Sequence, residues 1–229
     1  MKDLAVIETI LRNRYHFFVE IRDGIGLQGK MRAMLVSSVL CLALYGAVLG
    51  STHSLWQALS SAAKLPILFL ATLVVCAPTL YFFNVLFGSN QSLTQNVALI
   101  LTAITVTGVF MLSFTPILLF FLLTTSGYQF FKLLNVAICA ITGFTGVLFL
   151  SQGMAVIAAA GKEGARARRN VVRLWVLIYG FVGSQMAWTL RPLIGAPSMK
   201  FELFRQLGGN FYGNVLVSLG EMLGFFVVR

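Results

Sequence analysis

Residues 63 to 87, AKLPILFLATLVVCAPTLYFFNVLF, carry no charge after Lys64, and no other stretch limits the fold of this chain so strongly. From Leu65 to Phe87 a helix rising about 1.5 Å per residue reaches roughly 35 Å, slightly more than a bilayer's hydrocarbon core of about 30 Å. The stretch therefore reads as a membrane span. Pro66 sits in its first turn, where a helix tolerates proline. Pro78 falls mid-span, leaves the carbonyl of Val74 without its usual amide and predicts a kink. A freed carbonyl is costly in lipid, so the bend is expected to face a bundle that can satisfy it.

Composition extends this to the whole chain. Hydrophobic residues make up 58% and charged residues 10%, against about 45–50% and about 25% in soluble domains. The apolar stretches run nearly unbroken, without the residue-by-residue alternation of barrel strands, which excludes a β-barrel. The fold class expected is all-α: a polytopic transmembrane helical bundle of about five spans with amphipathic terminal helices. The net charge of +10 is placed at the flanks of spans: Lys2, Arg12, Arg14, Arg22, Lys30 and Arg32 before the first, and Lys162, Arg166, Arg168, Arg169 and Arg173 between later ones. Basic residues set out in this way mark topology, so no nucleic-acid partner is expected. Cys41, Cys76 and Cys139 lie within apolar runs without CxxC spacing and read as packing residues. No metal or cofactor motif is found.

Three regions are expected: a cytoplasmic amphipathic segment over 1–32, a transmembrane bundle over 33–190, and an extracytoplasmic loop with a glycine-striped helix over 191–229. In the first, Leu4, Ile7, Leu11, Tyr15 and Phe18 share a helical face, which predicts either a helix lying on the membrane with Arg12 and Arg14 at the headgroups or one that packs this face on the bundle. Gly24, Gly26 and Gly29 formally make GxGxxG, but a charged helix precedes them and a span follows, so an elbow is the reading. The first span, 33–50, ends in Gly46 and Gly50 at GxxxG spacing, and residues 51–64 read as a short connection with His53 and Trp56 at the interface.

The third span is 93–113. Continued to Thr125 it would be roughly 50 Å long, so Pro116 is expected to break it and leave a half-membrane or surface helix. The fourth and fifth spans are 131–154 and 171–190. In this five-span layout four crossings separate the amino terminus from the 161–170 loop, which puts both on one side, and their shared basic excess makes that side cytoplasmic. The block 188–205, WTLRPLIGAPSMKFELFR, supplies the candidate binding residues Trp188, Arg191, Pro192, Lys200, Glu202 and Arg205. They could hold a headgroup, partner or substrate, or simply fold back to cap the bundle. Beyond it, Gly209, Gly213, Gly220 and Gly224 fall within roughly 60° of one another on a helix, a stripe suited to docking on the bundle, on a copy of itself, or on Gly46 and Gly50.

The 188–205 block, with KLPILFLATL at 64–73 and TTSGYQFFKLLNVAI at 124–138, resembles a family of uncharacterised bacterial, chiefly cyanobacterial, multi-pass membrane proteins. Some members carry the label of an actin-binding WASP-homology domain, whose short helix and LKKT-like tail this sequence lacks. The five-span layout is similar to that of the Yip family, without its DLxGP signature. The resemblance implies an integral protein of a bacterial plasma or thylakoid membrane.

With no HExxH, no GxSxG and no Asp or Glu in the spans, the function expected is a non-catalytic membrane scaffold or organising protein. It would act through membrane lipids, a membrane protein partner or a homo-oligomer. The alternatives are a transporter or channel without an intramembrane carboxylate, motivated by Asn84, Asn96, Asn135, Gln152 and Gln185, and a lipid-modifying enzyme using the block from Arg191 to Arg205.

Overall fold

The structure is a computed structural model that describes residues 4–86, 91–124, 127–158, 165–195, 202–204 and 209–223. All regular structure among these residues is helical. Four helical stretches are long and apolar enough to cross a membrane: Leu27–Gly50, Leu55–Leu86, Leu93–Thr124 and Tyr128–Ile157.

The chain enters through α1 (Ala5–Arg12) and α2 (Arg14–Arg22), which part at Asn13. The break shifts the helical phase, so the inward face differs from the one a single helix would present. Ile10, Phe17, Phe18 and Ile21 are almost fully buried, whereas Leu4, Leu11 and Tyr15 are exposed. The segment packs on the bundle through this second face. Asp23 to Gly26 turn the chain, with Gly24 and Gly26 at φ values of 74° and 62° that other residues rarely adopt. This turn is the elbow into α3 (Leu27–Gly50).

Helix α4 (Leu55–Leu86) begins ten residues earlier than the apolar run from Leu65 suggests. Ser54 explains the start, because its hydroxyl accepts the backbone amide of Gln57 and caps the first turn. The supposed connection 51–64 is therefore mostly helix. Helix α4 runs through both Pro66 and Pro78. The cross-helix donor near Pro78 reaches the carbonyl of Cys76, which accepts from Trp175 Nε1 at 2.9 Å, and the Val74 side chain lies on the exposed face.

Ser92 and Gln95 form a reciprocal capping box that starts α5 (Leu93–Ser113). The break expected at Pro116 is a single-residue joint. Helix α6 (Thr115–Thr124) follows directly, and the amides of Phe114 and Leu118 still bond the carbonyls of Phe110 and Phe114. Proline here sits in the first turn of α6, so the joint needs no reversal of the chain, and α6 prolongs the α5 span instead of forming a separate half-membrane or surface helix. Helices α7 (Tyr128–Ala158), α8 (Ala165–Thr189) and α9 (Phe211–Met222) complete the order.

Close approaches fix how these helices align. A Cβ added at Gly46 would meet the Ser61 carbonyl oxygen at 2.5 Å, and one at Gly50 would meet that of Gln57 at 2.4 Å. Helices α3 and α4 thus touch backbone to backbone and antiparallel. Helix α5 lies parallel to α3, with Thr105 Oγ1 donating to the Met34 carbonyl at 3.2 Å and Gly108 against Leu42. Helix α7 returns along α5, with Gly146 against Ala103 and Thr107, and Gly153 against Leu99 and Phe18. Helix α8 is less apolar than the four candidate spans. It nevertheless follows α4 antiparallel over much of its length, from the Trp175–Cys76 bond past Gly183 beside Thr72 to Pro192 beside Gln57.

The carboxyl-terminal glycines do not form the expected stripe. Gly209, at φ 70°, precedes the N-cap residue Asn210 and lies outside the helix. Gly213 is exposed, Gly220 is buried, and Gly224 lies outside the described residues. Helix α9 packs on α7 and α8, while the faces of Gly46 and Gly50 are filled by α4.

These contacts predict a sharp contrast between glycines. Gly46→Leu or Gly50→Leu forces a side chain into a carbonyl and should lower stability by about 1–3 kcal/mol each or more, as overpacking does. Gly180→Ala, with nothing within 4 Å of the added carbon, should be neutral. Thermal unfolding of the three variants in detergent measures the difference, and equal midpoints would contradict the α3–α4 contact.

Candidate functional site

The densest buried polar cluster joins the start of α4 to the segment after α8. Gln57, Ser61 and Lys64 share one face of α4 at helical spacing and are exposed by only 1%, 0% and 4%. Each faces a backbone carbonyl. Gln57 Nε2 donates to the Pro192 oxygen at 2.9 Å and Ser61 Oγ to the Leu193 oxygen at 2.6 Å. Lys64 Nζ donates to the Pro192 oxygen at 3.3 Å and to the Leu203 oxygen, with the Phe204 ring centroid 4.9 Å away. A buried ammonium surrounded by carbonyl oxygens and an aromatic face has its hydration replaced by protein, so Lys64 ties residues 192 and 203 to the bundle.

The sequence-selected residues fall around this tie in different ways. The Arg191 guanidinium lies over Trp188, its carbon 3.6 Å from the ring centroid. Pro192 contributes its carbonyl to Gln57 and Lys64 rather than to a ligand pocket. Gly195 packs so tightly on His53 that a Cβ there would sit 2.3 Å from the ring. Glu202 is half-buried next to Leu203. Lys200 and Arg205 lie outside the described residues. The part of the block that is described thus folds onto the end of the bundle. Gln57, Ser61 and Lys64 were missed because residues 51–64 read as a connection, yet their i, i+4, i+7 spacing in an apolar setting was the available signal.

A second polar line runs down α7. Its first turn meets α9, where Gln129 Nε2 donates to Glu221 and Lys132 Nζ to Asn214 Oδ1 at 2.7 Å. Deeper, Tyr45 of α3 donates to Asn135 Oδ1 at 2.9 Å, and Thr107 of α5 reaches the Thr142 carbonyl at 3.4 Å. Helix α9 therefore brings a carboxylate to a helix that has none of its own. At the opposite end of the bundle, Asn84 Nδ2 donates to Asn96 Oδ1 at 2.6 Å between α4 and α5.

Among the described residues no three His, Cys, Asp or Glu side chains come together as metal ligands. The three cysteines are free thiols, with Cys41 and Cys76 buried. A shallow apolar groove between α1 and α5, too narrow to admit water, is lined by Ile7, Ile10, Leu11, Thr105, Val106 and Val109. No family model, curated protein or solved structure matches this chain.

Lys64→Met keeps the length and packing of the stem but removes the ammonium. The Leu203 carbonyl then loses its donor, while Pro192 keeps that of Gln57, so a loss of about 1–3 kcal/mol is expected for the unsatisfied group. Limited proteolysis of the detergent-solubilised protein should show faster cleavage within 196–208 than in the parent. Equal cleavage rates would show that Lys64 does not hold the segment.

Proposed function

We propose that the chain is a non-catalytic integral membrane scaffold or organising protein that acts through lipids, a membrane protein partner or self-association. The observation that carries this reading is the use of its internal polar groups. Gln57, Ser61 and Lys64 hold the segment after α8, Tyr45 holds Asn135, Asn84 holds Asn96 and Trp175 holds the Cys76 carbonyl. Each joins one element to another, as buried polar groups in a membrane bundle do when their role is to fix its arrangement. Helix α8 completes a fifth crossing beside α4. The amino terminus and the 161–170 loop then share the cytoplasmic face of a bacterial plasma or thylakoid membrane, and residues 191–209 lie on the other.

A transporter or channel is the second reading, and the line of Gln129, Lys132 and Asn135 on α7 favours it. Lys132 and Glu221 place ionisable groups at the edge of the bundle, where moving ions or protons would need them.

Two measurements test these readings. A cysteine in place of Ala165 should resist an impermeant thiol reagent added outside intact cells, and its labelling would reverse the proposed orientation. Protein in liposomes should leave ion and small-solute flux at the level of empty vesicles. Flux above that level that disappears in Lys132→Ala would sink the scaffold reading in favour of the transporter.

A further inference from the structure

Three arginines on three different helices occupy one level of the bundle. Arg32 of α3 is two residues before Met34, whose backbone and sulfur meet Thr105 and Thr102 of α5. Arg173 of α8 is two residues before Trp175, which bonds Cys76 of α4. The α3–α4 register set by Gly46 on Ser61 and Gly50 on Gln57 brings Cys76 level with Met31, beside Arg32. Arg14 starts α2, between Leu11, which lies against Thr105 to Val109, and Phe18, which lies with Leu99 against Gly153. That places it beside the same part of α5.

All three arginines are exposed, and none has an ion-pair partner among the described residues. Three basic neighbours among the described residues are neutralised: Arg12 by Glu8 at 2.6 Å, Arg22 by Asp23 at 2.8 Å and Lys30 by Glu20 at 3.0 Å. The hydrogen bond from Arg22 also holds the Asp23 carboxyl below its ordinary pKa. Among the described residues, these three arginines thus place positive charge without an ion-pair partner at one level.

On one side of this level the surface is apolar: Leu35, Leu40 and Leu44 of α3 and Leu174, Leu177 and Phe181 of α8 are each more than two-fifths exposed. The apolar band has a second edge. Trp56 at the start of α4 is 70% exposed, and Arg191 lies on Trp188 at the end of α8. At 1.5 Å per residue, Arg173 to Arg191 spans about 27 Å and Trp56 to Val75, level with Arg32, about 29 Å, close to the hydrocarbon thickness of about 30 Å.

We infer that Arg14, Arg32 and Arg173 form a belt that binds the headgroups of anionic phospholipids in the leaflet on the amino-terminal side. Guanidinium groups suit phosphate because each offers paired donors in a fixed plane. Three of them bordering a lipid-facing surface hold the headgroup while the acyl chains lie along the exposed leucines of α3 and α8. The inference rests on the membrane-spanning reading and is independent of whether the protein is a scaffold or a transporter.

The test uses the full chain purified in a neutral detergent, with thermal unfolding and native mass spectrometry as readouts. Phosphatidylglycerol should raise the unfolding midpoint and appear as bound lipid. Phosphatidylcholine and inorganic phosphate should do neither. The triple variant R14Q/R32Q/R173Q should lose at least ten-fold in apparent phosphatidylglycerol affinity, whereas R14K/R32K/R173K, which keeps the charge, should retain most of it and controls for folding. Three results would overturn the belt: equal response of parent and Gln variant to phosphatidylglycerol, equal response of the parent to phosphatidylcholine, or displacement of the bound lipid by RNA at lower concentration than by phosphatidylglycerol vesicles. Failure here would leave the flux result, and with it the proposed function, unaffected.

Discussion

The backbone contact between α3 and α4 is the constraint on which the rest depends. In lipid the hydrophobic effect gives helices no reason to prefer one another, so close packing must supply both affinity and register. Gly46 and Gly50 do this by letting α3 lie on the carbonyls of Ser61 and Gln57. Those two residues belong to the face of α4 that binds residues 192 and 193. One stretch of α4 therefore presents its backbone to α3 and its side chains to the segment after α8. A shift of α3 by one turn would disturb both contacts, which makes the cap on this end of the bundle a consequence of the glycine pair.

Polar groups then finish what the glycines begin. The Thr side chains of α5 mostly return to their own helix: Thr102, Thr105 and Thr107 each bond the carbonyl four residues earlier. This satisfies the hydroxyl locally and leaves the helix free to be packed by shape. The longer side chains of Gln57, Lys64, Asn84, Asn135 and Trp175 reach across to other elements. Short hydroxyls cross only where the backbones lie close, as Ser61 does to the Leu193 carbonyl and Thr105 to that of Met34. Trp175 is the largest fully buried side chain, and its indole joins α8 to α4 where Pro78 has removed an amide from the turn.

The spans were legible in the sequence because lipid imposes length and polarity on every crossing, and four stretches meet both conditions. Their ends were not. Leu55 to Lys64 contains polar residues on one face, and a reading based on unbroken apolarity stops at Leu65 although Ser54 supplies a cap. The amino-terminal face was misread for a related reason: one helical period was laid over Leu4 to Phe18, and Asn13 resets it. Pro116 was read as a break because 93–125 as one helix would be roughly 50 Å long, but in the first turn of a new helix proline needs no amide. Gly209 shows the limit of an angular count, since glycine at positive φ ends a regular structure as readily as it lines one. The candidate site was legible in part. The 188–205 block was found from its prolines and charges, but its partners on α4 depend on a fold-back between residues more than a hundred positions apart, which local pattern does not encode.

The two ends of the bundle are built on different chemistry. At the Trp56 end, charge is internalised: Lys64 donates to carbonyls and Arg191 stacks on an indole. At the other end Arg14, Arg32 and Arg173 remain extended and unpaired among the described residues. A cation placed on carbonyls and rings is satisfied by the protein itself and adds little field outside it. Exposed guanidinium groups in a ring act outward, and an anionic leaflet attracts each with about 1 kcal/mol near its surface. Basic residues thus secure a loop at one face and stand open to lipid headgroups at the other. That difference in partner, rather than the total charge of +10, distinguishes the two faces.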